Sequence, residues 1–107
     1  YYKKIKLLNI HEDEFDYIIW GCGLIGNVVY DIMSMNFPKA HLKVAVDEYS
    51  TGTWHDVEII KSKDLSKYPN CYILLSTYSG REQGYAVMNE LGKIENKDFV
   101  YLGTING

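Results

Sequence analysis

Long apolar runs are missing from this 107-residue chain: none approaches 18 residues, so the sequence predicts no transmembrane helix. The opening "YYKKIKLLNI" lacks the apolar core and cleavage site of a signal peptide. Cysteine is scarce. Cys22 and Cys71 each lie beside or inside an apolar run, and so read as small buried residues of a reducing, cytoplasmic compartment, not as a disulfide framework. Excess positive charge is lacking too. The net charge is -3, and the cluster Lys3, Lys4 and Lys6 is followed by Glu12, Asp13, Glu14 and Asp16. Both groups read as solvated flanks, which weighs against a nucleic-acid partner. His11, His41 and His55 are scattered without metal-ligand spacing. No G-K-[ST] follows a glycine loop, so phosphoryl transfer is not expected. Repeats and low-complexity tracts are absent.

What is present describes an ordinary globular protein, 47% hydrophobic and 23% charged. Its length suits one domain over 1–107, with 1–15 as an N-terminal helix or linker. The chain starts in a helix-like pattern and stops at "TING", which reads as a fragment of a longer protein.

Tyr1, Tyr2, Ile5 and Leu8 recur at helical spacing. Tyr17 to Trp20 is an apolar run too short for a helix, hence a buried strand. Ile25, Val28, Val29, Ile32 and Met35 mark one face of a helix that Pro38 closes. "LKVAV" (42–46) is a second strand ending at Asp47, "STGT" a turn, and "VEII" (57–60) a short third strand. His55 and Asp56 read as a turn between strands. Ser62 is placed to cap a brief helix ended by Pro69. "CYILLS" (71–76) is a fourth strand. Ser79 and Glu82 form a capping-box pattern before a helix with Val87, Met88 and Leu91 on one face and a stop at Gly92. "FVYL" (99–102) is the last strand. Apolar strands alternating with helices predict an α/β fold with a parallel sheet covered on both faces. The expected architecture is a Rossmann-like three-layer sandwich of about five strands, order 3-2-1-4-5.

"GCGLIG" stands between the first strand and its helix as G-x-G-x-x-G. Gly21 permits the turn off the strand, Gly23 lets a phosphate approach the backbone, and Gly26 lets the helix pack closely. The helix N-terminus offers unpaired N–H groups to a pyrophosphate. The candidate loop residues are thus Gly21, Cys22, Gly23, Leu24, Ile25 and Gly26. Asp47 lies 21 residues beyond Gly26, where a carboxylate can accept ribose hydroxyls and repel a 2′-phosphate, favouring NAD over NADP. Two readings of Asp47 stand at this stage, a ribose ligand or the start of a turn. Glu48 beside it, and Ser76, Thr77 and Tyr78 at the mouth of the fourth strand, complete the candidate site. Tyr78 has a ring suited to stacking on a base or sugar.

"YIIWGCGLIG", "VAVDEYSTGTWHDVEIIKSKDL" and "CYILLSTYSG" together resemble the small Rossmann-like domains of bacterial enzymes that build surface sugars. Members include the N-terminal parts of nucleotide-sugar dehydratases and of sugar acetyltransferases, and domains beside FkbM-type methyltransferases. The resemblance covers residues 16–102. It implies a module for NAD(H) or a nucleotide-sugar in polysaccharide biosynthesis, fused to a catalytic domain such as a transferase, dehydratase or epimerase, or assembled as a homo-oligomer. It maps Gly21, Gly23 and Gly26 onto the phosphate loop, Asp47 onto the acid after the second strand, and Ser76 and Thr77 onto the mouth of the fourth strand. Cys22 departs from the alanine usual there.

Other constellations are thin. A cysteine at a helix N-terminus can have a lowered pKa, but no histidine is placed beside Cys22 by sequence, and a small apolar filler is the plainer reading. Tyr2 to Lys6 matches Y-x-x-x-K of short-chain dehydrogenases, yet lies ahead of the glycine loop instead of after it. Three functions remain open: a nucleotide-binding module, a small NAD-dependent oxidoreductase, and a scaffold or oligomerisation domain with a degenerate site.

Overall fold

In the computed structural model, residues 1–104 are described. The chain starts with helix α1 (Tyr2–Ile5) and a 3-10 turn (Lys6–Leu8). Strand β1 (Asp16–Trp20), helix α2 (Leu24–Asn36) and strand β2 (His41–Val46) follow. Strands β3 (Thr53–Trp54) and β4 (Val57–Ile60) precede a 3-10 helix (Ser62–Lys67). Strand β5 (Tyr72–Leu75), helix α3 (Arg81–Glu90) and strand β6 (Phe99–Tyr101) complete the order.

The sheet has six strands in the order β3-β4-β2-β1-β5-β6. All pairings are parallel except β3 with β4. This corrects the expected five-stranded, wholly parallel sheet of order 3-2-1-4-5 to a mixed sheet with an added edge strand. The extra strand comes from the His55–Asp56 turn. Both residues take positive φ, 48° and 66°, the twist that a two-residue hairpin requires. Thr53 then pairs with Glu58 and Trp54 with Val57. A two-residue strand carries no periodicity, so the sequence read only the turn.

Strand residues alternate between two apolar layers, the period-2 geometry of a pleated strand. Tyr17 and Ile19 join Ile5, Leu8, Val29, Met33, Leu74 and Val100 on one face. Ile18 and Trp20 join Val46, Leu65, Leu75 and Met88 on the other. Helix α2 covers the first layer, while α3 and the second 3-10 helix cover the second. The buried stripe of α2 is Gly26, Val29 and Met33. Val28 and Met35, expected on the core face, are exposed. The stripe is rotated because Gly26, with no side chain, seats against the glycine loop and sets the roll of the helix. Gly84 does the same for α3: a Cβ there would lie 2.6 Å from Leu75 Cδ1.

Two expected caps are replaced. Gly80, not Ser79, is the N-cap of α3, with no side-chain cap. Its N–H donates instead to Thr77 Oγ1 at 3.2 Å. Ser62 opens a 3-10 helix whose N-cap is Lys61. Its N–H and hydroxyl donate to Glu48 Oε1 and Oε2 at 2.7 and 3.1 Å. For Ser62 the partner is remote, 14 residues away; for α3 it is a threonine three residues before the N-cap. The stop at Gly92 falls as expected, with φ 71°.

Candidate functional site

The carboxyl ends of β1, β2 and β5 open into a cleft of about 700 Å³, within the range of small-molecule sites. Its base is set by backbone bonds. Gly21 N–H donates to Val46 O at 2.8 Å and Ser76 N–H to Trp20 O at 2.8 Å. These bonds carry β1 and β5 each one residue past their ends before the chain turns.

The three glycines differ in what the protein itself demands. Gly21 has φ 116°, and a Cβ on it would lie 2.7 Å from Ser76 O. Gly26 is tighter still: a Cβ there would come within 1.8 Å of Gly21 O. Both positions are closed to any other residue by backbone, not by movable side chains. Gly23 is the exception. Its φ is -91°, open to any residue, and a Cβ would meet nothing within 4 Å. Its missing side chain answers to nothing inside the described residues. As N-cap of α2 it supplies no side-chain cap, and the first-turn amides have no intrahelical acceptor. Asn27 steadies the turn, donating from its backbone N–H and its Nδ2 to Gly23 O at 3.0 and 2.9 Å. Behind it, His55 Nε2 meets Asn27 Oδ1 at 2.7 Å, and its ring stacks on Tyr30 at 3.8 Å. The β3–β4 hairpin thus backs the start of α2.

Gly21, Cys22, Gly23, Leu24, Ile25, Asp47, Glu48, Ser76, Thr77 and Tyr78 all line the cleft. Gly26 does not; it is buried behind the loop. Cys22 corrects the buried-filler expectation, being only partly buried on the cleft wall. Burial first, and the Asp47 carboxylate second, push its thiol up to about 11. This is opposite to the shift that activates a nucleophile. Cys71 is buried as expected.

The loop after β2 is densely hydrogen-bonded within the protein. Asp47 Oδ2 accepts Cys22 N–H at 3.2 Å, and Oδ1 accepts the N–H groups of Tyr49 and Ser50 at 2.9 and 3.1 Å. Lys61 Nζ donates to the carbonyls of Asp47, Glu48 and Ser50 at 3.0, 3.1 and 2.7 Å. Those are all the donors an ammonium has. Glu48 accepts Gln83 Nε2 at 3.0 Å besides Ser62, tying this loop to α3 across one end of the cleft. Ser76 is buried, and its hydroxyl donates back to Leu74 O at 3.2 Å.

Sequence reasoning missed Trp20, Tyr49, Ser79, Gly80, Gln83, Gly103 and Thr104 among the lining residues. It also missed Lys61, which organises the loop from 11 to 14 residues away. For Tyr49 the signal existed, since ligands lie over strand ends in open sheets. For Lys61 none did. Leu24, Tyr49 and Tyr78 stand 80%, 93% and 73% exposed at the cleft. Among the described residues no group of His, Cys, Asp and Glu could hold a metal ion, and no helix is long and apolar enough to cross a membrane.

Chemically the cleft offers bare amides, an aromatic rim and two carboxylates already engaged by the protein. That is equipment for binding an anion attached to a flat or apolar group. No lining side chain stands as an evident acid–base pair. No protein-family model matches this chain, and no curated protein does either.

Proposed function

We propose that this chain is a Rossmann-like module that binds a nucleotide, NAD(H) or a nucleotide-sugar, over the glycine loop. In this reading it serves a larger sugar-modifying enzyme of surface-polysaccharide biosynthesis. The observation that carries it is Gly23, a glycine that neither φ nor packing requires, at the N-terminus of a helix facing a cleft of ligand size. A bare position there is accounted for by a phosphate approaching the backbone. The exposed rings of Tyr49 and Tyr78 suit a planar base. The parent reaction rests on the family resemblance alone.

The test is thermal unfolding and calorimetry with NAD, NADH, UDP-sugars and CoA. A ligand present at about 100 times its Kd adds about 2.7 kcal/mol of stability. For a domain of this size that is a rise in Tm on the order of 10 °C or more. No rise with any of them at millimolar concentration overturns the reading.

A second reading, an interaction module with a degenerate site, draws on Leu24, Val28 and Met35. These leave an apolar stripe exposed along α2, since the i, i+4 step from Leu24 to Val28 and the seven-residue step on to Met35 stay on one helix face. Light scattering of the wild type and of Met35→Glu distinguishes it: a dimer that the variant dissolves supports this second reading.

A further inference from the structure

We propose that Asp47 is a positioning residue, clamping the glycine loop to the loop after β2, and not the acid that reads a ribose. The ligand arm of this inference rests on the nucleotide reading above; the clamp itself does not. An ionised carboxylate has about four acceptor sites. Three are filled by the N–H groups of Cys22, Tyr49 and Ser50. A two-pronged grip on a ribose diol needs two acceptors, and one is left. The rest of the residue is held as well. Asp47 N–H donates to Ile60 O at 3.1 Å, and its carbonyl accepts Lys61 Nζ at 3.0 Å. Re-aiming the carboxylate at a sugar would strand amides of its own loop.

The clamp has a use. Cys22 lies between the two glycines that shape the cradle, just ahead of a helix whose N-cap supplies no side-chain cap. Fixing its amide on Asp47 sets the plane of the Gly21–Cys22 peptide, the one that carries the chain toward Gly23. The amides of the next residues are then presented in a constant direction. Asp47 therefore acts on every phosphate-bearing ligand alike. It carries no selectivity against a 2′-phosphate, which reverses the expectation that it favours NAD over NADP.

Asp47→Asn separates the two roles. Asparagine keeps one acceptor oxygen, enough for the Cys22 side or the Tyr49–Ser50 side but not both. Amide hydrogen exchange at Cys22, Tyr49 and Ser50 is measured without ligand, and Kd for NADH, NADPH and inorganic pyrophosphate with it. The expected result is faster exchange at Cys22 or at the Tyr49–Ser50 pair, by about tenfold. All three probes weaken by one common factor, leaving the NADPH:NADH ratio unchanged. A ribose reader gives the opposite: unchanged exchange, unchanged pyrophosphate, weaker NADH and tighter NADPH. That result overturns the proposal. Should the variant not fold, the wild type decides. Protection of these amides that survives NADH binding supports the clamp, and its loss overturns it. Should no probe bind the wild type, the nucleotide reading fails, while exchange in the variant and in the free protein still judges the clamp.

Discussion

The loop after β1 and the loop after β2 stand side by side at the same end of the sheet, and they spend their polar groups in opposite ways. The β2 loop closes on itself. Asp47 takes three N–H groups, and Lys61 fills three carbonyls. Glu48 ties the loop to Ser62 and Gln83. The β1 loop is left open: its glycines have no side chains to cap it, and α2 begins uncapped. In the β1 loop the N–H groups of Gly21 and Cys22 are paired, while exposed Gly23 and Leu24 line the cleft at the uncapped start of α2. The lesson is one of division. The β2 loop is structure that holds, and the β1 loop, in the reading proposed above, is surface that receives.

The sharpest way to break that contrast is to attack the part of the β1 loop that is structural. In Gly26→Ala the added Cβ would lie 1.8 Å from Gly21 O, a backbone atom that cannot rotate away. Overpacking typically costs about 1–3 kcal/mol, and a clash with backbone sits at or beyond the top of that range. The expected outcome is a loss of at least about 3 kcal/mol in urea unfolding, or no folded protein. A loss under about 1 kcal/mol would mean that the loop and α2 are not locked as described.

Next comes the closed loop. Lys61→Met keeps the apolar stem and deletes the ammonium, freeing the carbonyls of Asp47, Glu48 and Ser50. Hydrogen bonds to charged groups are worth about 1.5–3 kcal/mol each, but these carbonyls are partly accessible to water. A total loss of about 2 kcal/mol is expected, measured by denaturant unfolding. Glycine-loop packing should stay intact, because Gly21 and Gly26 do not depend on Lys61. A variant as stable as the wild type would show that the β2 loop holds without its lysine.

The same contrast marks what could be read in advance. The strands of β1, β2, β4, β5 and β6 were legible because each is a bounded apolar run, and the glycine loop because its spacing is tied to a strand on one side and a helix on the other. The hairpin strand β3 was not, because Thr53–Trp54 is too short to show a period. The roll of α2 was not, because its deciding contact, Gly26 on Gly21 O, is a backbone approach with no side-chain signature. Ser62 and Ser79 carried cap patterns that the fold overrode with Glu48 and Thr77. Asp47 lines the cleft, and the turn that was one of its two readings is there in its bonds to the N–H groups of Tyr49 and Ser50. Its partners lie at Cys22 and in its own loop, and only the fold brings Cys22 within reach. In general the local repeats were legible, and the contacts between loops were not.

Gly23 sharpens the contrast from the other side. With φ at -91° and nothing within 4 Å of a Cβ, Gly23→Leu should leave stability within about 0.5 kcal/mol of the wild type. Reduced freedom of the unfolded chain even favours the variant slightly. Binding should instead fall at least tenfold for any nucleotide that binds the wild type, because the leucine occupies the approach to the amides. Unchanged affinity by calorimetry would remove Gly23 from the binding surface. Lost stability would make it a structural glycine like its neighbours.

The smallest effect on the fold at neutral pH belongs to Cys22, which sits where the two loops meet. Its thiol rises from 9.0 to about 11, through burial first and the Asp47 carboxylate second. The raised value means that the fold binds the thiol proton more tightly than the unfolded chain does. The contribution is therefore whole below pH 9, and it is lost as pH climbs through about 11. At pH 8 the thiolate fraction should be about 100-fold lower in the native protein than in urea, because alkylation proceeds through the thiolate. Iodoacetamide labelling, read by mass at the Cys22 peptide, checks this. Asp47→Asn should speed the native reaction by removing the neighbouring charge, while the burial contribution remains. Native labelling as fast as in urea would mean that the thiol stands clear of both the wall and the carboxylate. The two loops would then not meet at Cys22.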